Sequence, residues 1–315
     1  MSPIAADEFI PISQLSGWQL FLCLAKGQWR PGHAWHNPAY RRKFVLRSLA
    51  SPLTTAQLLT TLAHQPLLEK LLAAQPGLPC RAHRPYLTAK FNPRAVAHAL
   101  SFHYQTLSGV LPEQLLQQQY SANGARLATI TGKDEHRYHL DLCANANLDK
   151  EGEATITFTR PDGVALAGLT FTLCRYQEIS TLFIGGLQGA RSDIPHESIQ
   201  LATKACHGLF PKRLVLEAAC LLAQYSGMSQ ILAVSNSAHI YCSWRYARKK
   251  KDKIHADYDC FWASMRGELT AEGLYKLPLE AARKPLEEIA SKKRAEYRRR
   301  YGLLDAMEEQ IQRQL

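Results

Sequence analysis

The pattern of apolar and polar positions divides the chain near residue 120. From Gln14 to about Gln119 the apolar positions recur at helical spacing. Leu58, Leu59, Leu62, Leu67, Leu68, Leu71 and Leu72 carry that period, interrupted at Pro66. Gln75-Pro76-Gly77-Leu78-Pro79 ends the run, and Arg84-Pro85-Tyr86 reads as an extended loop, because a residue before proline avoids the α region. Ala95 to Tyr104 predicts a further helix carrying His98 and His103. The block reads as an all-α layer of roughly four to six helices.

Around Asn123-Gly124 the period changes to two. Ala125–Thr131 and Arg137–Cys143 alternate across a turn at Gly132-Lys133-Asp134-Glu135. Glu153–Thr159 and Val164–Cys174 flank Pro161-Asp162-Gly163, a strong turn, and Glu178–Gly185 follows as a further strand. Together these predict an antiparallel meander. The order then becomes α/β. One helix starts near Asp193 and Pro195 and a second at Pro211, and a strand follows at Ile231–Val234. Two intervening helices leave room for a crossover, so the strand at Ile231 is expected parallel to the one at Leu182. Ser237–Lys250 is expected as a helix, Ile254–Trp262 as a strand, and Leu279–Tyr301 as a charged helix. The fold class is α+β: a helical N-terminal region, residues 1–120, packed on a mixed, mostly antiparallel sheet with flanking helices, residues 121–315.

Composition narrows the function classes. The chain has 315 residues, 46% of them hydrophobic, which is ordinary for a globular protein. No apolar run approaches the roughly 18–20 residues of a membrane span, so no transmembrane segment is expected. Trp18–Ala25 is short and follows Asp7 and Glu8, unlike a signal peptide, and the chain is expected in the cytoplasm. The eight cysteines are scattered without a C-x-x-C pair, so no metal is expected. The net charge of +11 is concentrated in two clusters, Arg245–Lys253 and Lys292–Arg300. Such clusters attract CoA, RNA or an anionic lipid surface, although a solvated face explains them equally well.

Candidate chemistry gathers where two apolar strands end. Gly185, Gly186, Gln188, Gly189 and Arg191 follow Thr181–Ile184, and glycines there allow a phosphate-bearing ligand to approach backbone N–H groups. The run is neither a P-loop nor G-x-G-x-x-G, and a tightly packed strand exit is the competing explanation. His239 and Tyr241 follow Ile231–Val234 and offer a base and a proton donor. Asp259, which alternates with Asp257, is a third catalytic candidate, with salt bridges to the basic run as its competing role. Lys204, Lys212, Arg245, Lys249 and Lys250 are candidate anion-binding groups.

Several segments together resemble the VirK/YbjX family. They are Arg84-Pro85-Tyr86, Glu151-Gly152-Glu153, Ile184 to Gly189, Ala202-Thr203-Lys204 with His207-Gly208, Pro211-Lys212, His239-Ile240-Tyr241, Asp257-Tyr258-Asp259 with Phe261-Trp262, and Ser291 to Arg300. The resemblance covers about residues 40–305. It implies a bacterial protein linked to virulence and to resistance against antimicrobial peptides, and names no reaction. The order of elements, with Asn236, Ala238 and Tyr241 after a strand, also resembles Gcn5-related N-acetyltransferases. That likeness implies an acyl-CoA bound at the glycines and Tyr241 as general acid. The pattern departs from it: the usual pyrophosphate motif is absent, Tyr241 comes two residues early, and an extra helix separates the strands. Two readings follow. One is an acyl- or aminoacyl-transferase, using acyl-CoA or aminoacyl-tRNA as donor. The other is a non-catalytic regulatory or scaffold protein of the envelope-stress response, binding lipid, nucleic acid or a partner.

Overall fold

The computed structural model describes residues 15–243, 245–247 and 257–315. Among these, eight strands form one sheet in the order β1-β2-β3-β4-β5-β6-β8-β7. The first five, β1 (Ala125–Thr131), β2 (Arg137–Cys143), β3 (Ala154–Thr159), β4 (Ala165–Tyr176) and β5 (Ile179–Gly189), form the antiparallel meander. β6 (Gln230–Val234) lies parallel to β5, with Leu182 opposite Ile231. A short hairpin, β7 (Glu268–Leu269) and β8 (Leu274–Leu277), closes the edge beside β6. The fold class is therefore α+β.

Among the described residues, seven α-helices precede the sheet: α1 (Gly17–Lys26), α2 (His33–His36), α3 (Pro38–Ala50), α4 (Pro52–Ala63), α5 (Leu68–Ala74), α6 (Pro93–Val110) and α7 (Glu113–Gln119). The starts are written in the sequence. Asn37 and Asn92 cap α3 and α6, accepting the N–H of Ala39 and Ala95, and a proline occupies the first turn of each. Alternation along the strands sorts the side chains into two cores. Phe183, Leu232 and Val234 face the N-terminal helices and share a core with Leu20, Trp35 and Phe44. Leu182, Ile184, Ile231 and Ala233 face the other side. There they meet α8 (His196–Ala205), α9 (Pro211–Tyr225), α10 (Tyr258–Ser264) and α11 (Ser291–Gln314).

Four local expectations are corrected. The glycine run lies inside β5 and is not its exit. Thr170 pairs with Gly186 and Phe171 with Ile184, so Gly185 is the extra residue of a β-bulge. Residues 258–262 are helical, because the Asp257 side chain accepts the Cys260 N–H and caps α10. Tyr258 and Trp262 are then one helical turn apart and both buried. Among the described residues after β6 the chain makes a 3-10 turn, Ile240–Cys242, where a continuous helix from Ser237 was expected, while residues 244 and 248–256 lie outside the described residues. α8 begins at His196 behind Pro195, and Asp193 instead pairs with Arg191.

Candidate active site

The site is assembled by two loops that converge over the carboxyl end of the parallel pair, the position where α/β sheets present ligands. β5 and β6 pair only as far as Ile184 and Ala233, after which β5 runs on to Gly189 beside β4 alone. The loop between β2 and β3 carries Asp149, Glu151 and Glu153 at alternate positions. Asp149 and Glu153 turn to Arg81, which is fully buried, at 2.7 and 3.0 Å. Gln75 and Tyr104 complete this network through hydrogen bonds to Arg81 and Glu153. Burial works to raise the Asp149 carboxyl, but Arg81 and Arg84 beside it prevail and hold it at about 2. The outer two acids thus anchor the loop, and Glu151 points between them into the cavity.

A third segment stitches this loop to the end of β6. The Leu87 N–H donates to the Lys150 carbonyl, Thr88 bridges to His239, and the Ala89 N–H donates to the Ala238 carbonyl. Leu87 adopts a left-handed backbone, φ 65°, to make the turn. Glu151 and His239 are 1% and 2% exposed, and His239 Nε2 lies 3.8 Å from Glu151 Oε1. Gln188 Nε2 donates to Glu151 Oε2 at 2.6 Å, and the Tyr241 hydroxyl also hydrogen-bonds this carboxylate. The glycine pair makes the room. A Cβ on Gly186 would stand 2.0 Å from Glu151 Oε2, and one on Gly185 would stand 2.0 Å from the Glu151 carbonyl oxygen.

The protonation pattern follows from these contacts. His239 Nδ1 accepts the Tyr241 N–H, so a neutral ring carries its proton on Nε2. Burial pushes its pKa down to about 4, so the ring is neutral at pH 7. Burial, then the nearby Glu151 charge, pushes the Tyr241 phenol up to about 12. Tyr258 stacks on His239 with ring centroids 5.3 Å apart, and burial raises its phenol too. Its hydroxyl accepts the Leu187 N–H at 3.3 Å, while Trp262 donates to the Val234 carbonyl at 2.9 Å, so α10 fills the seam where β5 and β6 diverge. The remaining cavity, about 520 Å³, opens on the sheet face, with Thr157, Gly168 and Gln188 in one cross-strand row on its floor.

Gln188, Gly189, Arg191, His239 and Tyr241 line this cavity together with Glu151, while Gly185 and Gly186 lie behind the carboxylate. Asp259 is not brought there; it accepts the Asn236 N–H and steadies the turn after β6. Lys204 lines a separate cavity with Lys133 and Asp134, and Lys212 sits half-buried on α9 near Gly189, its pKa lowered by burial. Arg245 is exposed in a turn, and Lys249 and Lys250 lie outside the described residues. Glu151 is the residue that sequence reasoning did not select as chemical. Its signal is the alternating Asp149-x-Glu151-x-Glu153 ahead of a strand, too many carboxylates for a mere turn. Among the described residues, no group of three or more His, Cys, Asp or Glu is placed to hold a metal ion. No helix there is long and apolar enough to cross a membrane.

Fold and site together define an α+β protein with a buried carboxylate, a neutral histidine and a tyrosine gathered at the end of a parallel strand pair. The model of the family described as protein of unknown function DUF535 matches residues 33–313, and the chain belongs to that family. It is 50% identical over 311 residues to the uncharacterized protein YbjX of Escherichia coli strain K12, covering 99% of this chain and 94% of that one. An uncharacterized protein of Haemophilus influenzae strain Rd is 30% identical over 218 residues, 69% of each chain. No solved structure matches the chain.

Proposed function

We propose that the cavity around Glu151 transfers an acyl or aminoacyl group to an amine. The observation that carries the reading is a carboxylate, 1% exposed, that accepts from Gln188 and Tyr241 at the rim of a 520 Å³ cavity. In this reading the amine nitrogen bonds to the carbonyl carbon of the donor and gives up a proton to Glu151. The bond from that carbon to the leaving group breaks, and Tyr241 protonates the leaving atom. The hydrogen bond between Glu151 and Tyr241 returns the proton and closes the cycle. Neutral His239, with its proton on Nε2, is a donor rather than a base. A meander, a strand, helices, a parallel strand, a helix and a further strand follow one another as in the Gcn5-related likeness, with two helices in place of one between the parallel strands, which supports the reading by analogy of fold.

The Leu187 N–H, at the point where the two strands diverge, is already taken by Tyr258. This favours an aminoacyl ester, such as aminoacyl-tRNA, over an acyl-CoA threaded between the strands. Modification of an envelope amine would accord with the link to antimicrobial-peptide resistance implied by the family resemblance. Equilibrium binding tests the reading. A charged tRNA should bind more tightly than the same tRNA uncharged, and Gln188→Ala should remove the difference. The filled seam at Tyr258 and Trp262 favours the second reading, a non-catalytic binding protein. Equal affinity for charged and uncharged tRNA, with no binding of CoA, would support that one instead.

A further inference from the structure

The N-terminal helices carry a surface that the cavity does not use. Between Glu8 and Glu69 the chain has no Asp or Glu, while Lys26, Arg30, Arg41, Arg42, Lys43 and Arg47 fall inside that stretch. Helix α3 buries Phe44 and Ser48 against the core. At about 100° per residue, Leu46 and Leu49 then stand on the side opposite those two, beside Arg42. They are 67% and 69% exposed, and Leu53, at the start of α4, is 85% exposed. An ordinary surface helix has one apolar stripe, turned inward. This one has a second, turned outward and flanked by Arg42, Lys43 and Arg47, all exposed.

From this we infer that the α3–α4 corner docks on the surface of an anionic phospholipid membrane. Leucines amid cations, with no carboxylate in the stretch, are the chemistry of an interfacial helix: apolar groups enter the acyl boundary while cations meet lipid phosphates. Nucleic acid would satisfy the cations but leaves three leucines in water. Charge complementarity therefore selects the lipid, and the apolar groups select a bilayer over a free phosphate. The inference is independent of the reading of the cavity, since no residue is shared.

The full chain should co-sediment with vesicles of phosphatidylcholine containing phosphatidylglycerol at low salt. Binding should weaken at physiological salt and be far weaker to phosphatidylcholine alone. Leu46→Ser, Leu49→Ser and Leu53→Ser together, all at exposed positions, should lower the partition coefficient on the order of a hundredfold. The change Arg42→Glu, Lys43→Glu and Arg47→Glu should abolish the preference for phosphatidylglycerol. Thermal unfolding of each variant should match the wild type, which separates docking from folding. Two outcomes overturn the inference. One is vesicle binding that the leucine variant leaves unchanged, which would place the contact on another basic face. The other is a wild-type dimer, seen by sedimentation, that the leucine variant dissociates, which would make a second copy of this chain the occupant.

Discussion

Gly186→Ala places a methyl group 2.0 Å from Glu151 Oε2 and 2.8 Å from its Cδ. Ordinary contact needs well over 3 Å, roughly, so the carboxylate must swing away. It then loses at least one of its hydrogen bonds, to Gln188 or Tyr241. A hydrogen bond to a charged group contributes roughly 1.5–3 kcal/mol, so the substitution should destabilise by about 2 kcal/mol. In a Glu151→Ala background the obstacle is gone, and the nearest remaining Glu151 atom is the Cβ at 3.3 Å. There Gly186→Ala should cost much less, giving a coupling on the order of 1 kcal/mol in a double-mutant cycle. Gly185→Ala is the internal control. Its methyl group would meet the Glu151 carbonyl oxygen at 2.0 Å, and removing the side chain cannot relieve a backbone clash. Its cost should be the same in both backgrounds. Urea denaturation of the six proteins, fitted with a shared slope, measures all of these terms. If Gly186→Ala costs as much without Glu151 as with it, the glycine does not serve the carboxylate and the account of the bulge is wrong.

Three further outcomes are expected. Arg81→Met leaves Asp149 and Glu153 without their buried partner and should cost about 3–5 kcal/mol by denaturation; a loss under about 1 kcal/mol would contradict the anchoring role of that network. His103 and His239 have folded pKa values lowered by burial to about 3 and about 4, below the unfolded value near 6.5. Their contribution is therefore complete above pH 6.5 and is lost as pH falls toward 4, at about 1.4 kcal/mol per pH unit for each ring; replacing His103 with Phe should make the measured slope shallower in that window. Tyr258→Phe strands the Leu187 N–H in the seam and should cost roughly 1–3 kcal/mol, whereas no change would mean that water replaces the hydroxyl there.

The meander was legible because β1 and β2 alternate and fall at the expected residues, and because the turns after β1 and β3 carry glycine, proline or aspartate. The parallel pairing of β5 with β6 followed from the space that α8 and α9 occupy between them. Tyr258-Asp259-Cys260-Phe261-Trp262 misled because aromatics alternate with polar residues there, which imitates a strand, while Asp257 as a helix cap was the contrary sign. The hairpin of β7 and β8 was missed because two to four residues are too few to show a period. In the site, the apolar runs that stop at Ile184 and Val234 pointed to Gln188, His239 and Tyr241. The glycines were visible as places of close approach, but what approaches is this chain's own Glu151, brought there by a buried Arg81 far away in sequence. Such a pairing leaves no local period, so spacing could not have found it.

The central claim is that Glu151 takes the proton from an amine acceptor as an acyl group moves to it. Transfer of a radiolabelled amino acid from charged tRNA, and in a parallel arm of a labelled acetyl group from acetyl-CoA, to an amine-containing envelope extract measures this directly. The account predicts transfer by the wild type, greater from the ester than from the thioester. It predicts loss of at least about a hundredfold, the scale of removing a general base, in Glu151→Gln, which keeps the shape of the side chain and the fold. No transfer from either donor, or a Glu151→Gln protein as active as the wild type, would contradict it.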